Sequence, residues 1–235
     1  MTPQEIASMI DVSAVRADST LEDVKASAEM AIQYGCICVF ALPSHTPYLI
    51  KLLADSKTFA GGVVGFPGGA ETTSTKTATA IELVSMGCEE VDMVNNMAWL
   101  KAGDKEAYVN DVRSVVEVSG DKPVKVILEC HWLTDDEISR ACEWCVEAGA
   151  SWVKTGTGWA PTGATLENTA LMKQTVGDRC RVKAAGGVRN LQTLLAMYDL
   201  GVRRFGIGVR TAAAILDEAA GGEKANLAEI YDSHI

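Results

Sequence analysis

The sequence predicts a single (β/α)8 barrel, and three observations lead to this fold class. Short apolar runs alternate with longer stretches of helical periodicity, which is typical of a parallel sheet with connecting helices. Its 235 residues suit the fold, because such barrels form one domain of roughly 200–250 residues. Glycines close four predicted helices just before the next strand, where helix-ending glycines are common: Gly35, Gly87, Gly149 and Gly201.

Eight strands are predicted in order. The first, at 6–11, has the weakest pattern, and a helix could precede it. The others are at 36–40, 62–66, 90–94, 124–129, 151–154, 181–183 and 204–207. A doubly wound open sheet is the alternative. No G-x-G-x-x-G follows an early strand, which argues against a dinucleotide-binding domain.

Helices are predicted between these strands. Hydroxyl and acidic residues at 19–23 start a helix that runs through 24–34, and Thr134 and Glu137 have the spacing of a capping box. The remaining helices are at 73–86, 104–119, 134–148, 165–176 and 190–200. The whole chain, 1–235, is expected to form one domain. Its more polar tail at 221–235 is expected on the surface, where a short last helix could form.

Charge and composition exclude several classes of function. The net charge of −10 argues against non-specific nucleic-acid binding, but leaves room for a local basic pocket that takes an anionic metabolite. The N-terminus lacks the basic and apolar regions of a signal peptide, and no apolar run reaches the ~18 residues that would span a bilayer. The seven cysteines are therefore expected to be reduced thiols in the cytoplasm.

Two lysines are the strongest candidates for chemistry. Lys154 and Lys183 each end an apolar run and lead into a glycine-containing loop, one βα unit apart. On neighbouring strands, ~4.8 Å apart, their amines would lie about 5 Å from each other. Repulsion of roughly 3 kcal/mol, together with desolvation, would lower one pKa towards ~8. A neutral lysine of this kind can form a Schiff base. The alternative is that each lysine reaches out of the barrel or pairs with Asp92 or Glu129.

Other polar residues fall where barrel enzymes place their active sites, at the C-terminal ends of strands. Asp92 could relay protons, or could form a structural ion pair. Glu129 and His131 lie close in sequence but are not expected to form a dyad. The glycine pair Gly186 and Gly187 could bind phosphate through backbone N–H groups, although such pairs also form plain turns. The full set of candidate polar residues at strand ends is Asp11, Asp92, Asn95, Glu129, Lys154 and Lys183.

The cysteines and histidines give weaker signals. Cys142 and Cys145 form a C-x-x-C inside a helical pattern, so core packing is favoured over a redox role. Cys36 and Cys38 alternate on one strand and are expected in the core or the barrel lining. The three histidines have no spacing that implies a metal site.

The motifs together resemble the deoxyribose-phosphate aldolases, a family of class I aldolases with a (β/α)8 barrel. The resemblance runs along nearly the whole chain. Its most specific parts are Val-Lys-Thr-Gly-Thr-Gly at 153–158 and Val-Lys-Ala-Ala-Gly-Gly-Val-Arg at 182–189. The others are Ile-Asp-Val-Ser at 10–13, Ile-Cys-Val at 37–39, Val-Gly-Phe-Pro at 64–67, Glu-Val-Asp-Met-Val at 90–94 and Val-Lys-Val-Ile-Leu-Glu at 124–129.

The resemblance implies a function and a set of site residues. Lys154 would form the Schiff base, Lys183 would perturb its pKa, and Asp92 would take part in a proton relay. The implied reaction converts 2-deoxyribose 5-phosphate to glyceraldehyde 3-phosphate and acetaldehyde, without metal or cofactor, in a dimer or larger homo-oligomer. Residues expected to bind the sugar phosphate are Asp11, Cys38, Thr155, Gly186, Gly187 and Arg210.

The chain departs from the family pattern around the substrate's tail. Val12 and Ser13 follow the first aspartate, where the family has His or Leu and then Thr. Gly156 replaces a serine, and 206–211 lacks the hydroxyl residues that help the family hold phosphate. Arg210 could bind phosphate in their place, or a carboxylate or sulfonate, or face solvent. The alternatives are therefore an aldolase for a different sugar tail, or a catalytically silent barrel that binds a sugar phosphate.

Overall fold

Eight parallel strands pair in sequence order, and the last strand pairs with the first. The computed structural model describes residues 1–221, so all but the first residue of the predicted polar tail lies outside the described residues. The strands are β1 (Ile10–Ala14), β2 (Cys38–Ala41), β3 (Phe59–Val64), β4 (Glu90–Val94), β5 (Val124–Ile127), β6 (Trp152–Lys154), β7 (Arg181–Ala185) and β8 (Arg204–Ile207). The closed barrel confirms the predicted fold class, and the open-sheet alternative is wrong.

Helices cover the outside of the barrel. They are α1 (Pro3–Ala7), α2 (Leu21–Tyr34), α3 (Thr46–Leu53), α4 (Thr73–Met86), α5 (Met97–Ala102), α6 (Lys105–Ser119), α7 (Asp135–Glu147), α8 (Leu166–Val176), α9 (Leu191–Asp199) and α10 (Val209–Ala219). Short 3-10 turns occur at Pro43–His45 and Cys130–Trp132. Within residues 1–221, no helix has both the length and the apolar character needed to cross a membrane.

Local signals explain the helix ends. The side chain of Thr134 accepts a bond from the N–H of Glu137 at 3.3 Å, which confirms the predicted capping box. Gly35 and Gly87 end α2 and α4 in the left-handed conformation, with φ of 72° and 111°. Glycine adopts this conformation without the steric cost of a Cβ, which is why it recurs at these positions.

The prediction was wrong for the first strand. Thr2 and Glu5 form a capping box with Pro3 in the first turn, so a short helix occupies the start of the chain. The strand therefore begins at Ile10 and continues beyond Asp11 to Ala14. The helices α3, α5 and α10 were also missed, because each begins within a few residues of a strand end, in a segment expected to be a loop.

The strand register separates an apolar layer from a charged interior. Val91 and Met93 belong to the hydrophobic core cluster, whereas Glu90 and Asp92, on the same strand, take part in buried ion pairs. This is the alternation expected when successive strand residues point to opposite faces. Lys154 lies opposite Lys183 in the register of β6 and β7. The fold therefore brings its charged strand residues together inside the barrel.

Candidate active site

Seven charged side chains fill the barrel interior, and each is less than a tenth exposed to solvent. We call them the ionic cluster. Charged groups are rarely buried to this extent unless they are paired. The three carboxylates and four cations are Asp11, Glu90, Asp92, Lys125, Lys154, Lys183 and Arg204.

Asp92 joins the two lysines that the sequence singled out. Its Oδ2 accepts hydrogen bonds from Nζ of Lys154 and Nζ of Lys183, both at 2.7 Å. Nζ of Lys125 lies 3.4 Å from its other oxygen. Burial alone would raise the pKa of Asp92, but the charges of these lysines together lower it well below its usual range. Asp92 is therefore ionised at any working pH.

Asp11 and Glu90 pair with the other cations of the ionic cluster. Nζ of Lys183 lies 2.6 Å from Oδ2 of Asp11. Arg204 donates to Oδ1 of Asp11 at 2.7 Å and to Oε1 of Glu90 at 2.9 Å. Lys125 donates to Oε2 of Glu90 at 2.5 Å. Each carboxylate thus touches at least two cations, which compensates the cost of burying its charge.

Sequence analysis did not assign Glu90, Lys125 or Arg204 to the site. A signal was present, because Lys125 lies within an apolar strand and Glu90 and Arg204 each begin one. The residues that the sequence singles out are lysines that lead into a glycine loop, or polar residues towards the C-terminal end of a strand. These three residues lie earlier on their strands and were passed over.

The charges of the ionic cluster do not cancel, and this bears on the protonation of Lys154. The cluster has three carboxylates and four cations, so it is electrically neutral when one amine loses its proton. Burial lowers the pKa of Lys154 to about 8, and Lys183 adds to this effect by repulsion, against the opposing attraction of Asp92. By contrast, the carboxylates outweigh burial at Lys125 and raise its pKa. The lowered pKa agrees with the expectation from sequence, but burial contributes more than repulsion.

A cavity of about 200 Å³ opens at the C-terminal end of the barrel. Of the seven cluster members, all within the described part of the chain, only Lys154 lines it. Lys183 and Lys125 are fully buried, whereas Lys154 is 6% exposed. A small molecule in the cavity therefore meets one amine of the cluster, and that amine has the lowered pKa.

Backbone groups and arginines line the same cavity. Gly186 and Gly187 border it, as do Gly208 and the arginines Arg16 and Arg189. Gly208 begins α10 without a side-chain cap, so its first N–H groups have no side-chain acceptor there. Such a helix terminus, with nearby cations, favours an anion.

Close packing requires glycine at this edge of the cavity. A Cβ on Gly187 would lie 2.1 Å from the carbonyl oxygen of Ala164, and Gly186 has φ of 77°. A larger residue would force the two loops apart.

Other predicted binding residues lie away from the cavity lining. The hydroxyl of Thr155 donates to the carbonyl of Ala185 at 2.8 Å and accepts from its N–H at 2.9 Å. These bonds join the end of β6 to the end of β7. Cys38 lies beside Asp11 in the register of β1 and β2, and burial raises its thiol pKa well above normal. Arg210 lines a neighbouring cavity of about 520 Å³ with Arg16.

Asn95 and Glu129 have structural partners. The side-chain amide of Asn95 donates to the carbonyls of Ile127 and Leu128 at 2.7 and 2.9 Å, which ties the end of β4 to β5. The alternative in which Glu129 pairs with a lysine is wrong. Its carboxylate accepts from the N–H of Thr157 at 3.2 Å and from the Thr157 hydroxyl.

The loop after β6 depends on this carboxylate. A Cβ on Gly156 would lie 2.7 Å from Oε1 of Glu129, so the missing serine leaves room for Glu129 to bind Thr157. Sequence analysis named Gly156 as a departure but did not find Thr157, because nothing local indicated that Glu129 reaches across to the next strand's loop.

The described residues also contain a group with metal-ligand atoms. One ligand atom from each of Asp11, Cys38 and Glu90 lies within 4.8 Å of the others. Lys183 and Arg204 already bind these two carboxylates, so the site is poorly suited to a cation. All seven cysteines are buried and unpaired, and Cys142 and Cys145 belong to the hydrophobic core, as predicted.

Comparison with known proteins agrees with the geometry. Residues 6–214 match the family model for DeoC/LacD family aldolases. The chain is 46% identical over 220 residues to the deoxyribose-phosphate aldolase of Klebsiella pneumoniae, with 92% of this chain and 88% of the relative covered. It is 43% identical over 217 residues to that of Methanothermobacter thermautotrophicus, with 92% and 96% covered.

A solved structure supports the same assignment. The deoxyribose phosphate aldolase of Aeropyrum pernix, described as a unique tetramer, superposes with a TM-score of 0.85 at 26% identity. The match covers 92% of each chain. The ionic cluster, the cavity and these matches lead to one conclusion: the chain belongs to the DeoC/LacD family of aldolases.

Proposed function

We propose that this aldolase is a class I enzyme that cleaves 2-deoxyribose 5-phosphate to glyceraldehyde 3-phosphate and acetaldehyde, and that Lys154 forms the Schiff base. One observation carries the assignment of Lys154. It is the cluster lysine that lines the cavity, and its pKa is lowered to about 8. A neutral amine exposed to a small molecule is what imine formation requires. The printed names of the curated relatives support the substrate.

The chemistry follows from an amine at this position. Nζ of Lys154 attacks the C1 aldehyde of the open-chain sugar, and loss of water leaves an imine. The protonated imine withdraws electrons while a base removes the proton of the C3 hydroxyl. The C2–C3 bond then breaks, glyceraldehyde 3-phosphate leaves, and an enamine remains on Lys154. Protonation at C2 and hydrolysis release acetaldehyde and restore the amine.

Asp92 and Lys183 are placed to serve the proton transfers. Oδ2 of Asp92 contacts Nζ of both lysines at 2.7 Å. A proton that leaves Lys154 during carbinolamine formation therefore has an acceptor in contact with it. Because Asp92 has a strongly lowered pKa, it passes the proton on rather than retaining it. Lys183, the other group bound to the same oxygen, completes the relay.

We propose that the phosphate binds beside Gly186, Gly187 and the start of α10. Gly186, Gly187 and Gly208 offer backbone N–H groups around the cavity that contains Lys154. Arg16 and Arg189 add positive charge to this anion site. Phosphate commonly binds at the loops after the seventh and eighth strands of such barrels. We keep Asp11, Cys38 and Thr155 as supports of this site rather than as substrate contacts, because they do not border the cavity.

A related aldolase activity on a different sugar tail is the second candidate. The observation that favours it is the neighbouring cavity of about 520 Å³, which contains Arg210 and shares Ser13, Arg16 and Thr211 with the Lys154 cavity. A longer anionic tail could extend into that space. A catalytically silent barrel is disfavoured. Three cations would already balance the three carboxylates of the cluster, and the additional cation, Lys154, is the one that lines the cavity.

We further propose that the whole chain forms one domain and that it assembles as a homo-oligomer in the cytoplasm. One closed barrel accounts for the described residues. The Aeropyrum pernix relative is described as a tetramer, which supports oligomerisation. Seven unpaired cysteines fit a reducing compartment.

Product analysis tests the proposal. The protein is incubated with 2-deoxyribose 5-phosphate, and acetaldehyde is measured beside the triose phosphate. Wild type should release both in equal amounts, and Lys154→Ala should release neither. Unphosphorylated 2-deoxyribose in a parallel assay separates the two candidates. A strong preference for the phosphate ester supports the first candidate and removes the second, equal rates support the second, and no cleavage of either sugar would overturn the first.

A further inference from the structure

We propose that Trp159 is a specificity-determining residue, whose ring forms a wall for the part of the sugar chain that is cleaved off as glyceraldehyde 3-phosphate. The inference rests on the proposed function, because it assigns a contact within the same cavity. Trp159 follows β6 and lines the cavity together with Lys154. The ring therefore borders the space in which a substrate attached to Lys154 must lie.

The side chain of Trp159 crosses the mouth of the barrel. Its indole N–H donates to the carbonyl of Val15 at 2.9 Å, just after β1. Its ring lies perpendicular to the ring of Phe66, which follows β3, with centroids 6.0 Å apart and planes at 85°. In an eight-stranded barrel, β6 lies opposite β2, and β2 lies between β1 and β3. Trp159 thus spans the opening from one side to the other.

The backbone of Trp159 is also held in place. Its N–H donates to the hydroxyl of Thr157 at 3.0 Å. Thr157 is in turn bound through its N–H to the buried carboxylate of Glu129. A ring anchored at both ends loses little freedom when a ligand binds, so its contacts are efficient.

Much of the Trp159 side chain stays exposed despite these anchors. Trp159 is 45% exposed, although its N–H is bonded and its ring contacts Phe66. A large aromatic surface left uncovered at the mouth of a polar cavity is available to the C–H groups of a bound chain. Because the indole N–H is already bonded to Val15, the contact offered to substrate is apolar and does not select for phosphate.

This position predicts a split between substrates. A two-carbon aldehyde joined to Lys154 is short, whereas the five-carbon sugar extends towards the mouth and meets the ring. Truncation of the ring should therefore weaken binding of the longer chain and affect the two-carbon imine far less. A merely structural brace would reduce both reactions together and lower the melting temperature.

The experiment compares Trp159→Ala, Trp159→Phe and Trp132→Ala with wild type. Trp132 is a matched control, because it is 54% exposed and follows β5, yet does not line the cavity. Three quantities are measured on each protein: borohydride trapping of the acetaldehyde imine, and KM and kcat for cleavage of 2-deoxyribose with and without its 5-phosphate. The melting temperature is recorded alongside.

We expect Trp159→Ala to raise KM for both sugars by about tenfold, the effect of losing one good aromatic contact. Trapping of the two-carbon imine should change far less. Trp159→Phe, which keeps a ring, should fall between wild type and alanine, and Trp132→Ala should match wild type. Unchanged KM values, a KM effect confined to the phosphate ester, or an equal loss of imine trapping would overturn the assignment of Trp159 while imine formation in wild type upholds the proposed function. Absence of any imine in wild type would overturn both.

Discussion

Lys154 and Lys183 share one acceptor, since both amines donate to Oδ2 of Asp92 at 2.7 Å. The shared oxygen holds the two nitrogens close together without neutralising both of them. Lys183 is also 2.6 Å from Asp11, whereas the remaining side of Lys154 faces the cavity. The pair is therefore unequal, and the lysine with fewer carboxylate partners is the one that can lose its proton.

Removal of the charge on Lys183 should shift the pH profile of imine formation. Repulsion by Lys183 contributes to the lowered pKa of Lys154, so Lys183→Met should raise that pKa from about 8 towards the ordinary value. The acid limb of the profile then moves to higher pH. The rate at pH 7 should fall by about tenfold for each unit of the shift, and any loss that remains on the plateau above pH 10 measures the part of Lys183 in the proton relay.

Lys76→Met provides the control for loss of a buried lysine. Lys76 is fully buried and bonded to Asp111 at 2.7 Å, outside the ionic cluster. This variant should lower the melting temperature and leave the acid limb in place. An unshifted acid limb in Lys183→Met would mean that Lys183 does not set the pKa of Lys154.

Asp92→Asn should separate the electrostatic and proton-transfer roles of the carboxylate. The negative charge of Asp92 raises the pKa of Lys154, so its removal should move the acid limb to lower pH. The plateau rate should nevertheless fall, by roughly 10²–10⁴-fold, as expected for loss of a general acid–base group. A plateau equal to wild type would show that protons move by another route.

Lys154→Met should stabilise the fold below pH 8. Without Lys154, the cluster keeps three carboxylates and three cations. The folded-state pKa of about 8 lies below the unfolded value near 10.4, so the unfolded state of wild type binds more protons between these values. Wild-type stability therefore rises with pH across this window, and below it carries the full cost of charging Lys154.

The stability gain in Lys154→Met should be on the order of 3 kcal/mol near pH 7 and should shrink as pH approaches 10. Urea unfolding at several pH values measures it. A variant that is less stable than wild type at every pH would contradict the charge balance assigned to the cluster.

Gly156→Ser should disturb the loop after β6, although serine is the residue that the family pattern carries there. The new Cβ would lie 2.7 Å from Oε1 of Glu129, and Glu129 would have to release Thr157. We expect a loss of about 1–3 kcal/mol in unfolding free energy, which is typical of overpacking. Gly68→Ser is the control, because a Cβ at Gly68 meets nothing within 4 Å. Equal stability of both variants would show that the loop adapts freely.

The barrel was predictable because its repeat is local. Each helix predicted from the sequence stops just before a glycine, and the strands are short and mostly apolar, so the order of these elements could be inferred without knowledge of tertiary contacts. The start of β1 could not be placed, because Thr2, Pro3 and Glu5 form a capped helix in a segment whose apolar pattern also suits a strand. Short helices such as Met97–Ala102 were missed, because six residues give too little periodicity.

The site was predictable only in part. Lys154 and Lys183 could be found because each ends an apolar run and leads into a glycine-containing loop, and Asp92 because it is a carboxylate on an apolar strand of the predicted barrel. Thr155 was expected from the family resemblance to bind the substrate, yet its hydroxyl bonds to Ala185 on the neighbouring strand. Such bonds depend on strand register and side-chain rotation. For the same reason, Trp159 could not be placed at the barrel mouth before the loops after β1 and β3 were seen beside it.

The most direct test of the account maps the trapped imine as a function of pH. Wild-type protein is mixed with acetaldehyde and borohydride between pH 6 and 10, and peptide mass spectrometry locates the two-carbon adduct. We predict an adduct on Lys154. Its initial rate of formation should rise with pH and reach half of its maximum near pH 8. An adduct on Lys183 or Lys125, or on Lys154 with the midpoint of an ordinary lysine near 10.4, would contradict the claim that the buried cluster keeps Lys154 neutral and reactive.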